Sequence, residues 1–195
     1  MVINPPPNSV HPKSREEWRK WLENNQSRKE GVWLISYKKD TGKPRFEYDE
    51  AVEEALCFGW IDSKPAKLDD ERSMLWFAPR KPKTNWSKIN KERVERMIKA
   101  GLMAPAGLAK VEAAKKDGAW NALDSVEALE IPSDLAKAFS KNKIAKDYFD
   151  AFPRSVKRGI LEWILNAKKP ETRGKRIEET VTLAEKNIRA NQWRQ

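Results

Sequence analysis

Apolar positions follow two different spacings along this chain. Up to about residue 120, segments with apolar residues on one helical face alternate with short runs rich in β-branched and aromatic residues, which are typical of strands. The strand-like runs lie at residues 32–37, 60–67 and 73–78, and beyond residue 130 the spacing is helical throughout. The pattern therefore predicts an α+β fold, with a small N-terminal sheet packed with helices followed by an all-helical C-terminal region.

Proline content and periodicity divide the chain into three segments. Residues 1–13 contain four of the 12 prolines and no periodic apolar pattern, so we expect a flexible N-terminal arm. Residues 14–125 are expected to form an α+β domain. Residues 126–195 are expected to form a helical region, which either stands apart from that domain or packs with it as one unit. Trp163 lies on an apolar stripe of this region, at helical spacing from Ile160, and we expect its indole to be buried.

Positive charge exceeds negative charge, with 39 Lys and Arg against 29 Asp and Glu and a formal net charge of +10. This balance favours an anionic partner, which could be a small ligand, a nucleic acid or an acidic protein surface. No stretch approaches the about 18 apolar residues that a membrane-spanning helix needs. The first residues carry neither the basic nor the apolar region of a signal peptide, so we expect a cytoplasmic location.

The chain contains one cysteine, Cys57, and one histidine, His11. A disulfide framework inside the chain and a metal site built from several cysteines are therefore excluded, and we predict neither a metal nor a cofactor. Cys57 precedes Gly59, where we expect a helix to end, and the helix dipole disfavours a thiolate at that end. These features favour a buried structural thiol over a nucleophile.

A first candidate polar site surrounds Asp62. This carboxylate lies where a glycine-ended helix gives way to a strand, a place where side chains can project into a cleft. Together with Arg72 or Arg80 it could bind a small ligand. Alternatively, it accepts hydrogen bonds from turn amides or pairs with a neighbouring base. A lone carboxylate is weak support for acid/base catalysis.

A second candidate site is the segment 80–88, which we call the basic loop. It opens a stretch, residues 80–99, that holds eight Lys or Arg and two Glu. Lysines, a tryptophan that can stack on a base, and the amides at a helix start are the components of an anion or nucleotide site. A solvated charged helix with one buried tryptophan has the same composition, so both interpretations stay open. The candidate side chains are Arg80, Lys81, Lys83, Trp86 and Lys88.

A further basic cluster spans residues 154–176, again with eight bases against two acids. Arg173 and Arg176 are three residues apart on one predicted helical face and could bind a carboxylate or phosphate together. Glu171 and Lys175 are four residues apart, a spacing that favours helix stabilisation instead.

Three strings in this chain resemble a known family: ALCFGWIDSKPAKLD at 55–69, FAPRKPKTNWSKINKERVERMIKAGLMAPAGL at 77–108, and AKKPETRGKRIEETV at 167–181. They are similar to the family called YdeI or OmpD-associated, also labelled bacteriocin-protection or OmdA-like proteins. The resemblance covers roughly residues 14–190 and implies a link to envelope or bacteriocin stress. It implies no reaction and no catalytic residues.

We therefore expect a binding protein that engages an anionic partner through basic surfaces and carries out no catalysis. Two alternatives remain. The first is an enzyme that acts on a small anionic substrate in a cleft near Asp62 and Arg80, and the second is a nucleic-acid-binding protein that uses both basic clusters. A ligand bound beside Arg80 would favour the enzyme, and salt-dependent binding to nucleic acid would favour the other.

Overall fold

The computed structural model describes residues 4–192 of the 195-residue chain. The chain forms two compact units, the first ending at Ala122 and the second beginning at Leu123. Over the described residues, the first unit carries a four-stranded sheet with helices, and the second is built from helices alone. The predicted α+β class is confirmed.

Four strands form the sheet in the described part of the first unit: β1 (Ser9–Val10), β2 (Val32–Tyr37), β3 (Trp60–Lys67) and β4 (Arg72–Pro79). Their order is β1-β2-β4-β3. β4 is antiparallel to both of its neighbours, whereas β1 runs parallel to β2. The three longer strands coincide closely with the strand-like runs of the sequence.

β1 lies within the segment for which we expected a flexible arm, residues 1–13, of which residues 1–3 lie outside the described residues. Ser9 pairs with Trp33 and Val10 with Leu34. The amide of Trp33 also donates to the carbonyl oxygen of Asn8 at 2.8 Å. Main-chain pairing of this kind needs no periodic side-chain pattern, which is why the sequence contains no sign of it.

Helices accompany the sheet in the first unit: α1 (Arg15–Asn24), α2 (Tyr48–Cys57), α3 (Lys88–Lys99) and α4 (Pro105–Asp117). Ser14 caps α1 by accepting a hydrogen bond from the Glu17 amide at 3.3 Å, and Ser87 caps α3 in the same way from Asn90 at 3.4 Å. A short 3-10 turn, Lys39–Thr41, follows β2. Local capping chemistry therefore determines where two of these helices begin.

One face of the sheet forms the core of the first unit. Val32 pairs with Phe77 across β2 and β4, and Leu34 pairs with Leu75, so these four side chains point to the same side. Trp18 of α1 packs on Phe77 with ring centroids 5.3 Å apart. This contact buries the apolar face of α1 against the sheet.

The contact between α1 and α2 contains a charged group. Glu54 of α2 is only 2 % exposed. One of its carboxylate oxygens accepts from Nε of Arg15 at 2.6 Å, and the other accepts from Nη1 of Arg19 at 2.6 Å. Both oxygens are thus paired with a cation, which offsets much of the cost of removing the carboxylate from water.

The end of α2 approaches α4 at Gly107. A Cβ atom added at Gly107 would lie 2.2 Å from the carbonyl oxygen of Cys57. The same carbonyl accepts a hydrogen bond from the Ala104 amide at 3.0 Å, just before α4 begins. The absence of a side chain at residue 107 therefore allows the helix to approach the backbone of α2 directly.

The second unit contains α5 (Asp124–Glu127), α6 (Ser133–Phe139), α7 (Lys143–Ala151), α8 (Arg154–Leu165) and α9 (Pro170–Ala184). Pro170 occupies the first turn of α9, as its fixed φ angle allows. No strand is present between residues 130 and 190, as the helical spacing predicts. The core of this unit is built from large apolar side chains, among them Leu135, Phe139, Phe149, Ile160 and Ile164.

The expectation of a buried Trp163 is wrong. Its indole packs against the apolar core of the second unit, but it is only half-buried. The guanidinium of Arg176 lies 5.0 Å from the ring centroid, so a cation covers part of the indole. An apolar stripe identifies which side of a helix faces the core. It does not determine how completely a neighbouring helix covers a large ring at the edge of that stripe.

Two absences apply to residues 4–192. None of their helices combines the length and apolar content required to cross a bilayer. Nor do these residues bring three His, Cys, Asp or Glu side chains together in an arrangement that could hold a metal ion.

We predict that Glu54→Gln lowers the free energy of unfolding by about 2–3 kcal/mol, because it removes the buried charge that pairs with both arginines, and only Arg15 keeps other acidic partners, Glu50 and Glu53. Guanidinium denaturation of the full chain measures the change. Glu23→Gln is the control, since it makes the same chemical change at an exposed position of α1. Equal stability of both variants would contradict a structural role for the Glu54 charge.

We predict that Gly107→Ala destabilises the protein by about 1–3 kcal/mol, because the added methyl overlaps the Cys57 carbonyl and forces α4 away from α2. Gly174→Ala in α9 is the matched control. It adds a methyl to a helix with nothing within 4 Å, so helix propensity alone should make it neutral or stabilising. The same denaturation experiment compares them, and a neutral Gly107→Ala would refute the close approach.

Candidate anion-binding site

The basic loop connects the end of β4 to the start of α3, and main-chain hydrogen bonds hold both of its ends. The amide of Arg80 donates to the carbonyl oxygen of Gly59 at 2.9 Å, which joins the loop to the turn between α2 and β3. The amide of Trp86 donates to the carbonyl oxygen of Ala119 at 3.3 Å, just beyond α4. Two other segments of the first unit thus position the loop.

Arg80 is buried at the base of this loop, with 5 % of its surface exposed. Its guanidinium carbon lies 3.7 Å from the ring centroid of Trp86, so the two planar groups are in contact. Nη2 donates to the carbonyl oxygens of Thr84 and Asn85. Nε is buried and has no hydrogen-bond partner among the described residues.

The charge of Arg80 is not balanced by a direct ion pair. Among residues 4–192, no carboxylate forms a salt bridge with it. Burial lowers the pKa of the guanidinium to about 10, an effect that the field of Asp62 opposes. Because a pKa of about 10 still lies well above neutral pH, Arg80 remains protonated. The loop therefore holds a desolvated positive charge, which favours an anion nearby.

A small pocket of about 50 Å³ opens beside Arg80. Lys81 and Lys83 of the basic loop and Lys110 of α4 line it, together with one acid, Asp117. The Asp117 carboxylate accepts hydrogen bonds from the amides of Lys83 at 3.2 Å and Ala119 at 3.0 Å. Four cations against one carboxylate make the pocket positive, and its volume suits a single phosphate or carboxylate group.

Lys110 reaches the pocket because Gly59 has no side chain. A Cβ atom at Gly59 would lie 2.7 Å from Cγ of Lys110, so the aliphatic stem of the lysine passes directly over the glycine. Gly59 also has a φ of +77°, a conformation that L side chains rarely adopt. This glycine therefore both ends the α2 segment and makes room for a lysine of the pocket.

The structure does not place Trp86 where a base could stack on it. Its indole is only 1 % exposed, Arg80 covers it, and the ring of Trp120 lies 5.0 Å away. This agrees with the alternative interpretation of the sequence, a solvated charged helix with one buried tryptophan. The indole packs inside the loop and presents no aromatic surface to a ligand. Stacking in the manner of single-stranded nucleic-acid sites therefore has no platform here.

Asp62 lies in β3 and is engaged by a residue that the sequence interpretation missed. The hydroxyl of Tyr48 donates to its Oδ2 at 2.9 Å. Tyr48 is 50 % exposed, and partial desolvation of its phenol together with the hydrogen bond to Asp62 raises its pKa to about 12. The phenol is therefore protonated at neutral pH and holds the carboxylate in place. The charge of Asp62 acts on Arg80 to raise its pKa, against the larger effect of burial, and no hydrogen bond or ion pair joins the two residues.

Arg72 is not part of this arrangement. In the register of the hairpin, Asp62 pairs with Phe77, whereas Arg72 begins β4 at the opposite end. Its guanidinium forms a 2.6 Å ion pair with Asp69 in the turn between the strands. The proposal that Asp62 and Arg72 form one polar site is thus wrong, because antiparallel pairing separates them along the sheet.

The remaining candidates are partly engaged by acids. Lys88 lies 3.9 Å from Glu92, an i,i+4 pair on α3. In the second unit, Arg173 forms a two-pronged contact with Asp134, at 2.6 and 2.9 Å. Arg176 donates to the carbonyl oxygen of Trp163 in addition to covering its ring. Arg173 and Arg176 therefore stabilise contacts between helices, which favours the structural interpretation of this cluster.

No local signal in the sequence could have identified Lys110, Asp117 or Tyr48. Tyr48 lies on α2, and Lys110 and Asp117 lie on α4, so all three are outside the basic loop. Lys110 and Asp117 are some 30 residues from the loop in the chain. The position of Lys110 depends on the packing of α4 against Gly59, whereas Tyr48 reaches Asp62 from α2. Periodicity in the sequence relates residues within one helix or strand, and it does not predict contacts between residues some 30 positions apart.

Comparison with known proteins divides the chain in a similar way. A family model described as Domain of unknown function (DUF8412) matches residues 10–110, which is more than half of the chain. The chain belongs to this family. The match spans the three long strands, Asp62 and most of the side chains that line the pocket.

A second family model, described as Bacteriocin-protection, YdeI or OmpD-Associated, matches residues 128–187. It confirms the resemblance suggested by the sequence for the helical part of this DUF8412 protein. Two of the three strings that carried that resemblance, at 55–69 and 77–108, lie instead in the segment matched by the first family. No curated protein and no solved structure matches the chain.

We predict that Cys57 reacts slowly with thiol reagents in the native protein. It is the last residue of α2 and is buried, and burial raises the pKa of its thiol to about 11. Reactivity should rise as the pH approaches that value, because only the thiolate reacts. Labelling with a chromogenic disulfide at neutral pH measures the rate, with denatured protein as the fast control. Stoichiometric native labelling within seconds would restore a nucleophilic role.

Proposed function

We propose that this DUF8412 protein is a binding protein that engages an anionic partner through the basic loop. The single observation that carries the proposal is Arg80, a buried guanidinium with an unpartnered Nε and no ion pair among the described residues. An anionic group in the adjacent pocket would supply the missing negative charge. We further propose that this group is one phosphate or carboxylate of the partner.

The surroundings of Arg80 support recognition of an anion attached to a larger partner. Lys81 and Lys83 are exposed on the loop beside the pocket, where they can contact more of a partner than the pocket itself holds. Salt-sensitive attraction by such lysines adds to the affinity of the desolvated charge beneath them. The buried Arg80 thus positions the anion, and the exposed Lys81 and Lys83 attract it.

The alternatives receive less support from the geometry. Trp86 is buried and offers no surface on which a nucleic-acid base could stack, so only the phosphates of a nucleic acid could engage the loop. For an enzyme, Asp62 and Arg80 would have to act on a substrate, yet the Asp62 carboxylate already accepts the Tyr48 hydroxyl. A carboxylate side chain that already accepts a hydrogen bond is better suited to positioning a ligand than to transferring a proton.

We also propose a cytoplasmic location, which the single, buried and unpaired Cys57 suits, since reduced thiols predominate there. The match of residues 128–187 to the family described as bacteriocin-protection supports a role in envelope or bacteriocin stress as part of the same proposal. In this view the helical unit and the basic loop belong to one binding protein.

We predict that Lys81→Glu/Lys83→Glu weakens binding to the anionic partner by about tenfold or more at low salt and flattens its salt dependence, because fewer counterions are released. Stability should change by no more than about 0.5 kcal/mol for each substitution, since both lysines are exposed. The measurement is the affinity for mixed-sequence nucleic acid and for acidic lipid vesicles at two ionic strengths.

Lys141→Glu/Lys143→Glu provides the matched control, because it makes the same change in charge with the same spacing at two exposed lysines of the second unit. The control should retain the wild-type affinity apart from a small effect of net charge. Wild-type binding that survives in the Lys81→Glu/Lys83→Glu variant would remove the basic loop as the contact surface and direct attention to residues 154–176. Lack of binding by the wild type to both probes would contradict a macromolecular polyanion as the partner.

A further inference from the structure

A larger cleft of about 300 Å³ lies on the core face of the sheet, at the end of β2 and β4 remote from the basic loop. It is bounded by these two strands and by the segment that leads from β2 into α2. Leu34, Phe46 and Ala51 are buried and form its apolar walls. This volume is at the lower end of the range for small-molecule sites, which are concave and mainly apolar with a few placed polar groups.

Two serine hydroxyls interrupt this apolar face. Ser36 and Ser73 are direct partners across β2 and β4, and they form the next pair after Leu34–Leu75 on the same face of the sheet. Cross-strand partners point to the same side of a sheet, and both serines line the cleft. Neither hydroxyl forms a hydrogen bond within the described part of the chain. The cleft therefore offers two adjacent hydroxyl groups that are free to donate.

A third free donor comes from Arg45. Its two terminal nitrogens donate to the carboxylate of Glu47 at 2.8 and 3.1 Å, but its Nε is buried and has no partner within residues 4–192. Lys38 and Lys39 also line the cleft, so its lining holds three cationic residues and one acidic residue. The Lys38 ammonium donates to the carbonyl oxygens of Asp69 and Asp70, at 3.0 and 2.7 Å. Unpartnered donors and a positive balance of charge together favour an acceptor that carries negative charge.

From the two cross-strand serines, the unpartnered Nε of Arg45 and the apolar walls, we propose that this cleft binds a small amphiphilic carboxylate. The apolar body of the ligand packs against Leu34 and Phe46. Its carboxylate accepts hydrogen bonds at the level of Ser36 and Ser73 and is attracted by the cations around the cleft. This site is separate from the pocket beside Arg80, so it depends neither on the basic loop nor on the function proposed for it.

The test uses octanoate as the probe and the full chain as the protein. Octanoate should produce saturable shifts in the amide NMR signals of residues 34–38 and 73–75, with a Kd below about 1 mM. Octanol, which has the same chain length without the charge, should bind at least tenfold more weakly. Failure of octanoate to saturate, or equal affinity for octanol, would overturn the proposal.

Two variants and one control locate the site. Ser36→Val/Ser73→Val removes both hydroxyls and fills the cleft with methyl groups, so octanoate affinity should fall at least tenfold. Arg45→Gln removes the positive charge at similar length and should also weaken binding, which keeps the test decisive if the double variant does not fold. Ser63→Val, at an exposed serine of β3, should bind octanoate like the wild type. Unchanged binding by both cleft variants would refute the assignment.

Discussion

The first unit is organised around a carboxylate that has been removed from water. Glu54 projects from α2 into its contact with α1, where Arg15 and Arg19 pair with its two oxygens. A buried charge is tolerated only where its partners are held in good geometry, so α1 and α2 are restricted to one relative position. In that position Trp18 reaches the sheet, and Arg19 also donates to the carbonyl oxygen of Leu102 ahead of α4.

The position of α2 in turn determines the candidate anion site. Its last residue, Cys57, is in backbone contact with Gly107 of α4, and the next turn presents the Gly59 carbonyl to the amide of Arg80. α4 then brings Lys110 over Gly59 and Asp117 to the loop. The pocket is therefore a consequence of how three segments meet, and a substitution that displaces α4 should alter the pocket as well as stability.

The buried charged residues of this unit differ in their partners. Glu54 has two cationic partners and Arg93 is paired with Asp49, whereas Arg80 has carbonyl oxygens, an indole face and the more distant field of Asp62. In the second unit, Arg173 is paired with Asp134, which keeps the pKa of that carboxyl below its usual value. A charge that is already paired contributes to the fold, and a charge left without an ion pair is available for a ligand. This difference is the physical basis for the proposal that Arg80 binds an anion.

The sequence by itself determined the fold class, the capped start of α1 at Ser14, the three long strands and the helical character of the second unit. These features depend on periodicity and capping within a few residues, which act wherever the segment lies in the protein. Only the tertiary structure decided that Arg72 pairs with Asp69, that Arg80 covers Trp86 and that Ser36 faces Ser73 across the sheet. Strand register places Arg72 far from Asp62 and beside the turn that holds Asp69, and it brings Ser36 opposite Ser73. Burial of the basic loop brings Arg80 over Trp86. Residue spacing along the chain predicts neither strand register nor burial.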